Sequence, residues 1–374
     1  MNRKKILFLT GTRADFGKLK SLIIKVEENS DFETFIFVTG MHMISKYGMT
    51  AQEVENNKFN NIYKYINQSP NDSMDIVLSK TIQGLSDYPK EICPDMIVVH
   101  GARVEALAGA IVGSLNNILV AHIEGGEVSG TIDELIRHSV SKMAHLHFVS
   151  NENAVKRLLQ LGERKENIFN IGSPDLDLMI SDELPNLISA KDRYNIDFED
   201  YGIFMYHPVT TEYKYLENKI TAVIDGLIES NRKFVVIYPN NDLGTSVIIE
   251  AFSRLEGNKN FKIFPSIRFE YFLTLLKNSS IVVGNSSAGV REAPFYGIPT
   301  LNLGSRQNNR AKSASIVNIE EDTKKVSSVI LSIFGNRFEP YKEFGLGNSN
   351  ILFHNALVNK NLWATSKQKE FIDN

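Results

Sequence analysis

The 374-residue sequence has one cysteine, Cys93, which excludes an internal disulfide and a thiolate metal cluster. It also has no apolar run near the ~20 residues that a membrane-spanning helix needs. The apolar segment after the first lysines covers only Ile6–Leu9, which is too short for a signal peptide. We therefore expect a cytoplasmic chain that has no membrane partner.

An excess of positive charge is missing as well. The chain has 41 Lys and Arg against 44 Asp and Glu, a net charge of −3 at pH 7, so nucleic acid is not an expected partner. Hydrophobic residues at 43% and charged residues at 23% are close to globular averages, which excludes a disordered, collagen-like or coiled-coil chain. The length suits two domains of about 150 residues or more each.

Short apolar runs alternate with amphipathic stretches, which predicts an α/β fold of two Rossmann-like, doubly wound domains. In the first half we predict strands at Lys5–Thr10, Phe32–Thr39, Asp95–His100, Ile118–His122, His147–Ser150 and Ile168–Ile171. The clearest predicted helices there are Lys18–Glu28, Val104–Leu115, Ile132–Met143 and Ala154–Leu161.

The pattern weakens after Pro174 and then resumes. We predict a domain over 1–174, a linker over 175–200, a second domain over 201–350, and a final segment, 351–374, with a return to the first domain as one option. Strands of the second domain are predicted at Tyr201–Tyr206, Phe234–Tyr238, Phe261–Phe264, Ile281–Gly284 and Thr300–Leu303. Its helices are predicted at Lys214–Ser230, Ser246–Leu255, Phe269–Lys277 and Val290–Tyr296.

Ligands of parallel sheets bind at the carboxyl ends of the strands, so the loops there are the candidate sites. The loop from Gly11 to Lys18 carries Arg13 and Lys18 between glycines, which favours an anion over solvated charges alone. It is not a G-x-G-x-x-G sequence, so a classical dinucleotide site is unsupported.

Two further strand ends carry groups suited to proton transfer. His100 and His122 end predicted strands, although a lone histidine at such a position is more often a satisfied core residue. Glu124 follows an apolar strand and precedes two glycines, a place where a carboxylate has little packing value and a ligand has room. Asp133 opens the next helix, where complementing the helix dipole is the simpler interpretation.

In the second domain the matching loops begin at His207 and at Gly284. The run Gly284–Gly289 contains Ser286 and Ser287 at a predicted helix start, which suits a phosphate, although one serine could serve as an ordinary N-cap. Glu292, one turn later, could accept hydrogen bonds from ribose hydroxyls. No H-E-x-x-H or C-x-x-C spacing is present, so we predict no metal site.

Seven motifs in order carry a resemblance to a known family. They are Gly11–Lys18, Thr39–His42, His122–Glu127, Gly172–Asp175, His207–Glu212, Tyr238–Asp242 and Gly284–Ser287. Across nearly the whole chain they resemble the hydrolysing UDP-N-acetylglucosamine 2-epimerases of bacterial sialic acid synthesis. The resemblance implies a glycosyltransferase-B fold with a UDP-sugar in the cleft that its two domains face, no cofactor, and a homodimer.

The resemblance also implies roles for individual residues. Glu124, Asp133 and His207 fall on positions that the family uses around the sugar. The implied substrate- and UDP-binding residues are Arg13, Lys18, His42, Asn285, Ser286, Ser287, Glu292 and Arg306. The implied reaction removes the proton at sugar C2, expels UDP to give a glycal, and adds water to yield N-acetylmannosamine.

One position departs from the family. Where the family has an aspartate in a His-Gly-Asp-Arg segment, this chain has Ala102. Alanine cannot transfer a proton, and losing a general acid or base typically costs ~10²–10⁴ in rate. We interpret Ala102 as an inactivating substitution in an otherwise intact site, and we expect a chain of low activity that still binds substrate.

Three other functions remain open. A related epimerase that hydrolyses UDP-N,N′-diacetylbacillosamine, for legionaminic acid, would differ around sugar C4 and C6. A glycosyltransferase of the same fold would need an acceptor. A catalytically silent UDP-sugar-binding protein is compatible with Ala102.

Overall fold

Two fully parallel sheets organise the chain in the computed structural model, which describes residues 3–69, 72–129, 131–240, 242–307, 312–370 and 372. The predicted α/β class with two Rossmann-like domains is confirmed. Unit 1 comprises residues 1–127, 133–181 and 343–374, and unit 2 comprises residues 128–132 and 182–342. The stretch predicted as a linker, 175–200, therefore contributes to both units.

The first part of unit 1 alternates strands and helices. Its elements are β1 Lys4–Thr10, α1 Arg13–Glu27, β2 Phe32–Val38, α2 Ala51–Glu55, β3 Ile62–Lys64, α3 Met74–Ile92, β4 Met96–His100, α4 Val104–Leu115, β5 Leu119–Ile123, α5 Ile132–Met143, β6 Leu146–Val149, α6 Glu152–Gln160, β7 Ile168–Asn170 and α7 Asp175–Met179. The sheet order is β3-β2-β1-β4-β5-β6-β7. All residues of β4 and β5 are buried, as expected for parallel strands covered on both faces.

Unit 2 repeats this plan with six strands. Its elements are α8 Leu187–Arg193, β8 Gly202–Met205, α9 Leu216–Glu229, β9 Phe234–Ile237, α10 Thr245–Phe252, β10 Phe261–Phe264, α11 Phe269–Lys277, β11 Ile281–Gly284, α12 Glu292–Phe295, β12 Thr300–Leu303, β13 Ile316–Ile319 and α13 Thr323–Ile333. The sheet order is β10-β9-β8-β11-β12-β13. The last helix, α14 Ser349–Val358, belongs to unit 1, where Phe353 and Leu357 join the hydrophobic core.

Each strand order reverses once, between β1 and β4 in unit 1 and between β8 and β11 in unit 2. Loops diverge to opposite faces of the sheet at such a reversal, which leaves a crevice for a ligand at the carboxyl ends of the strands. The loops chosen from the sequence as candidate sites follow these four strands and β5, the neighbour of β4. None of the described helices is long and apolar enough to cross a membrane.

Several predicted helices begin at other residues than expected, and two of these shifts concern the candidate loops. Helix α1 begins at Arg13 rather than Lys18, because the Thr12 side chain caps it by accepting from the Asp15 amide. The predicted helix over Val290–Tyr296 is only α12, four residues long, after a 3-10 turn at Ser287–Gly289. The short strands β3 and β13 were absent from the prediction.

Candidate active site

In unit 1 the loops after β1, β4 and β5 place a histidine between two carboxylates. His100, at the end of β4, lies 3.1 Å from Asp15 Oδ1 through Nδ1 and 3.0 Å from Glu124 Oε2 through Nε2. Asp15 is in the first turn of α1, and Glu124 follows β5 directly. The three side chains are 8%, 13% and 4% exposed, so these contacts are largely shielded from water.

These contacts decide the charge of the imidazole. Burial lowers the pKa of His100, but its hydrogen bonds to Asp15 and Glu124 and the charges of both acids outweigh burial, so this pKa is raised. Burial likewise raises the pKa of Asp15, yet the bond to His100 and the charges of His100 and Arg103 leave this pKa lowered. The arrangement favours an imidazolium between two carboxylates.

Glu124 also contacts two donors besides His100. Ser173 donates a short hydrogen bond to its Oε1, and Lys18 Nζ lies 3.5 Å from its Oε2. The backbone of Glu124 has φ 62°, in the left-handed region that a residue with a Cβ seldom adopts. A strained backbone of this kind is typical of functional sites, so the prediction of Glu124 as an active-site residue gains support from its conformation.

Lys18 and Arg13, both predicted to bind an anion, have acidic partners. Lys18 Nζ lies 3.1 Å from Asp175 Oδ2 as well as near Glu124. Arg13 donates from Nε to Glu53 Oε2 at 2.8 Å and makes a second, short contact with the same carboxylate. Because α1 begins at Arg13, both cations are helical residues and not part of a flexible loop. Their contact with a diphosphate stays a prediction.

Two other histidines of unit 1 are satisfied inside the core. His42, predicted to bind ligand, is fully buried, with Nε2 3.0 Å from Thr10 Oγ1 and Nδ1 2.6 Å from Thr50 Oγ1. Burial lowers its pKa to about 4. His122 contacts Gly101 O and Ser141 Oγ, and burial lowers its pKa to about 3. A ligand would reach His42 only if one of these bonds broke.

Ala102 and Asp133 complete the predicted residues of unit 1. Ala102 is 9% exposed and follows Gly101, whose φ is 71° and around whose missing Cβ there is no atom within 4 Å among the described residues. The space beside Gly101 is therefore open at this turn. Asp133 is half-buried in the first turn of α5. Its approach to the sugar stays a prediction.

In unit 2 a buried asparagine joins the ends of β8 and β11. Asn285 accepts from the His207 amide through Oδ1 at 2.6 Å and donates from Nδ2 to the His207 carbonyl at 2.8 Å. Both polar atoms of its side chain thus fix His207, so direct ligand binding by Asn285 would compete with this role. His207 Nδ1 accepts from the Asn240 amide at 3.0 Å, which places the proton of the neutral ring on Nε2.

The serine loop follows directly. Ser286 and Ser287 are half-buried, and Ser286 Oγ accepts from the Ala288 amide at 3.4 Å as an N-cap. Arg306 donates to the Asn285 carbonyl at 3.2 Å, which places a cation beside this loop. Glu292 is 3% exposed at the start of α12.

Sequence reasoning missed several members of the unit 1 site. Asp15, Ser173 and Asp175 lie in motifs that carried the resemblance, but no role was given to them. His100 was weighed mainly as a core histidine. Their positions in Gly11–Lys18, Gly172–Asp175 and His100–Arg103 were the available signal. Within the described ranges, no three His, Cys, Asp or Glu side chains come together as metal ligands.

Comparisons with known proteins concern the chain as a whole. The sequence profile of the family described as UDP-N-acetylglucosamine 2-epimerase matches residues 24–357. A UDP-N-acetylglucosamine 2-epimerase of Neisseria meningitidis serogroup B is 47% identical over 99% of this chain and 99% of its own. A UDP-N,N′-diacetylbacillosamine 2-epimerase (hydrolyzing) of Legionella pneumophila is 32% identical over 85% of each chain.

A solved structure supports the fold. The UDP-GlcNAc 2-epimerase of Methanocaldococcus jannaschii, in complex with UDP-GlcNAc and UDP, aligns with a TM-score of 0.81. The alignment covers 94% of this chain and 99% of that chain at 21% identity. At this identity the likeness concerns the two-sheet architecture and not the ligand.

Proposed function

The chain belongs to the UDP-N-acetylglucosamine 2-epimerase family, and from that premise we propose that it hydrolyses UDP-N-acetylglucosamine to N-acetylmannosamine and UDP, for sialic acid synthesis. In this reaction the proton leaves sugar C2 and UDP leaves C1, and the resulting 2-acetamidoglucal takes up water. The chemistry needs a proton acceptor near C2, stabilisation of the departing diphosphate, and a proton donor for hydration.

The observation that carries the proposal is the environment of Glu124. This buried carboxylate ends a strand beside the topological reversal, in a left-handed backbone conformation, with Lys18, His100 and Ser173 in contact with it. A buried carboxylate at a strand end, in contact with ionisable partners, is suited to exchange a proton with a substrate. Asp133 is proposed as the second acid of unit 1.

For unit 2 we propose the nucleotide role. The hydroxyls of Ser286 and Ser287 and the guanidinium of Arg306 suit a diphosphate, and Glu292 suits the ribose hydroxyls. The Nε2 proton of His207, fixed by the Asn240 contact at Nδ1, is suited to donate to an oxygen of the leaving UDP. Asn285 would keep His207 in that orientation.

Ala102 is the reason to expect slow turnover. The position lies at the strand-end turn between His100 and Arg103, where the family resemblance places an acid. Without that acid, a decrease of ~10²–10⁴ in rate is expected, while the groups proposed for UDP are unchanged. We therefore propose a chain that binds UDP-N-acetylglucosamine normally and hydrolyses it slowly.

Product analysis tests the proposal. The native chain, Ala102→Asp and Ala102→Asn are incubated with UDP-N-acetylglucosamine, and released UDP and N-acetylmannosamine are quantified. Ala102→Asp should raise turnover by ~10² or more, whereas the amide of Ala102→Asn, similar in shape but unable to carry the proton, should not. Chelator should leave the rate unchanged. Absence of N-acetylmannosamine from every variant would refute the proposed function.

UDP-N,N′-diacetylbacillosamine is the second candidate substrate, because the Legionella relative is named for it. Identity over more of the chain favours UDP-N-acetylglucosamine, since the Neisseria relative is 47% identical and the Legionella relative 32%. The same assay run with both substrates decides between them through kcat/KM. A homodimer also stays a prediction, which light scattering would check.

A further inference from the structure

Five ionisable side chains of unit 1 form a line of alternating charge. In order they are Asp15, His100, Glu124, Lys18 and Asp175, joined by contacts of 3.1, 3.0, 3.5 and 3.1 Å. The proposed function uses Glu124 and leaves the acid on the far side of the imidazole, Asp15, without a role. Asp15 contacts His100 at the ring nitrogen opposite to Glu124.

We propose that Asp15 and His100 are positioning residues that store the proton exchanged by Glu124, His100 carrying this proton and Asp15 keeping it on the ring. This inference deepens the proposed function and rests on it. It depends on the geometry of a single ring whose two nitrogens face two different carboxylates. A histidine held in this way has one stable orientation and one path for its exchangeable proton.

The proton balance is simple. When the His100 ring is doubly protonated, it donates from Nδ1 to Asp15 and from Nε2 to Glu124, and both acids are carboxylates. When Glu124 acts as an acid, the Nε2–H bond breaks, an O–H bond forms at Glu124 Oε2, and the neutral ring retains its Nδ1 proton. When Glu124 has taken a proton from the substrate, the same step runs in reverse. Asp15 stays ionised throughout.

Other charged groups lie next to these five side chains and contribute to the electrostatic field at His100. Arg103 acts on Asp15 through its charge, and Lys18 from α1 lies 3.5 Å from Glu124 Oε2, the oxygen that His100 also contacts. Asp175 from α7 pairs with that lysine, so the lysine charge is partly compensated. His122, on the neighbouring strand β5, has its pKa lowered to about 3 and so adds no positive charge near neutral pH.

The neighbouring histidine shows that burial alone does not create the store. His122 is fully buried and His100 is 9% exposed, but His122 contacts a carbonyl and a hydroxyl instead of carboxylates. Burial then dominates and keeps its ring neutral. The two acids are therefore what makes the His100 ring able to hold a second proton.

The first test observes His100 without turnover. Nitrogen NMR of imidazole-labelled protein follows the His100 ring through a pH titration in the native chain, in Asp15→Asn and in Asp95→Asn. Asp95 is the matched control because it lies at the opposite end of β4, paired with Lys4. Asp15→Asn should lower the pKa of His100 by at least ~1 unit, because the amide has no charge, and Asp95→Asn should not. An unchanged pKa in Asp15→Asn would overturn the proposal.

The second test uses catalysis in the Ala102→Asp background. In a plot of kcat against pH, Asp15→Asn should shift the limb that depends on His100 to lower pH, by as much as the pKa of His100 shifts in the NMR titration. The KM should stay within ~3-fold of the value without this substitution. His100→Gln, which can donate a hydrogen bond but not carry the proton, should lower kcat by ~10² or more. If N-acetylmannosamine is released but the limb does not move, the proton store is wrong and the proposed function stands. If no variant releases it, both are wrong.

Discussion

The two units share one strand order, yet they fill the equivalent crevice with different chemistry. In unit 1 the ends of β1, β4 and β5 present coupled charges, with His100 between Asp15 and Glu124. In unit 2 the ends of β8 and β11 are joined by a neutral amide, Asn285, that bonds to the main chain of His207. A topology thus supplies a location, and the side chains decide whether that location exchanges protons or holds a ligand.

Histidine shows the same contrast. His207 is the one histidine of unit 2, while the other seven lie in unit 1. Imidazole side chains are therefore concentrated in the unit to which we assign proton transfer, where two carboxylates raise the pKa of His100. The comparison yields predictions that separate catalysis, folding and binding between the units.

The largest effect should follow loss of the unit 1 carboxylate. In the Ala102→Asp background, Glu124→Gln should lower kcat by ~10²–10⁴, because an amide cannot exchange the proton. The dissociation constant of UDP should change by less than ~3-fold, since Glu124 is proposed to act on the sugar and the serine loop of unit 2 to hold the diphosphate. Turnover assays and calorimetry measure the two quantities. Glu55→Gln, at an exposed pair with Lys64, is the control. A loss of UDP affinity matching the loss of turnover would break the comparison.

Replacing one glycine in each crevice by alanine should show how tightly each crevice is packed, through the loss of folding stability. A Cβ at Gly284, where φ is 128°, would lie 1.9 Å from the Met205 carbonyl oxygen, so Gly284→Ala should destabilise folding by about 3 kcal/mol or more. Gly101→Ala meets only backbone strain and should cost about 1–2 kcal/mol. Chemical denaturation followed by circular dichroism compares them. Equal costs would contradict the stated difference in packing.

Bulky residues at the serine loop should act on binding. Ser286→Leu combined with Ser287→Leu should weaken UDP binding by ~10²-fold, about 2.7 kcal/mol, because the side chains fill the space proposed for the diphosphate. Ser328→Leu, on the exposed face of α13, serves as the control for added apolar surface. Calorimetry gives both affinities. Unchanged UDP affinity in the double variant would remove the nucleotide role from this loop.

A smaller effect concerns the acid stability of unit 1. His42 and His122 protonate near 6.5 when unfolded but have folded pKa values of about 4 and about 3. The unfolded chain therefore binds more protons in this range, and stability falls as pH decreases from about 6.5. His42→Gln should remove about 1–2 kcal/mol of the loss between pH 7.5 and pH 5.

Fluorescence of the single tryptophan measures this effect, because Trp363 packs against the unit 1 core. Urea unfolding at pH 7.5 and pH 5 is compared between the native chain and His42→Gln. The raised pKa of His100 acts in the opposite direction, its stabilisation being lost as pH rises. An equal loss of stability in both proteins would show that His42 does not contribute.

Much of the fold could be predicted because buried strands and amphipathic helices follow local patterns. In unit 2, β10, α11, β11 and β12 have the predicted bounds. The start of α1 was misplaced because Gly11 and Gly17 suggested a loop, and the Thr12 cap outweighs them. β13 was missed because it is a short strand at a sheet edge, with no fully buried residue to mark it.

The sequence predicted several of the residues that belong to the candidate site but not the hydrogen bonds that link them. Glu124 was identified from the glycines after a strand end. The contact of His100 with Asp15 spans 85 residues, and that with Glu124 spans 24, so no local pattern reports them. Likewise, the role of Asn285 depends on the neighbouring strand β8, and this was invisible in a run of small polar residues.

Hydrogen exchange at sugar C2 tests the assignment of proton transfer to unit 1 most directly. Ala102→Asp is incubated with UDP-N-acetylglucosamine in deuterated water, and the product is analysed by proton NMR and mass spectrometry. We expect N-acetylmannosamine with deuterium at C2, because inversion at C2 requires a second group to deliver hydrogen to the opposite face, and the exchangeable groups of the protein carry deuterium in this solvent. Product that retains its original C2 hydrogen would contradict proton transfer by these acids.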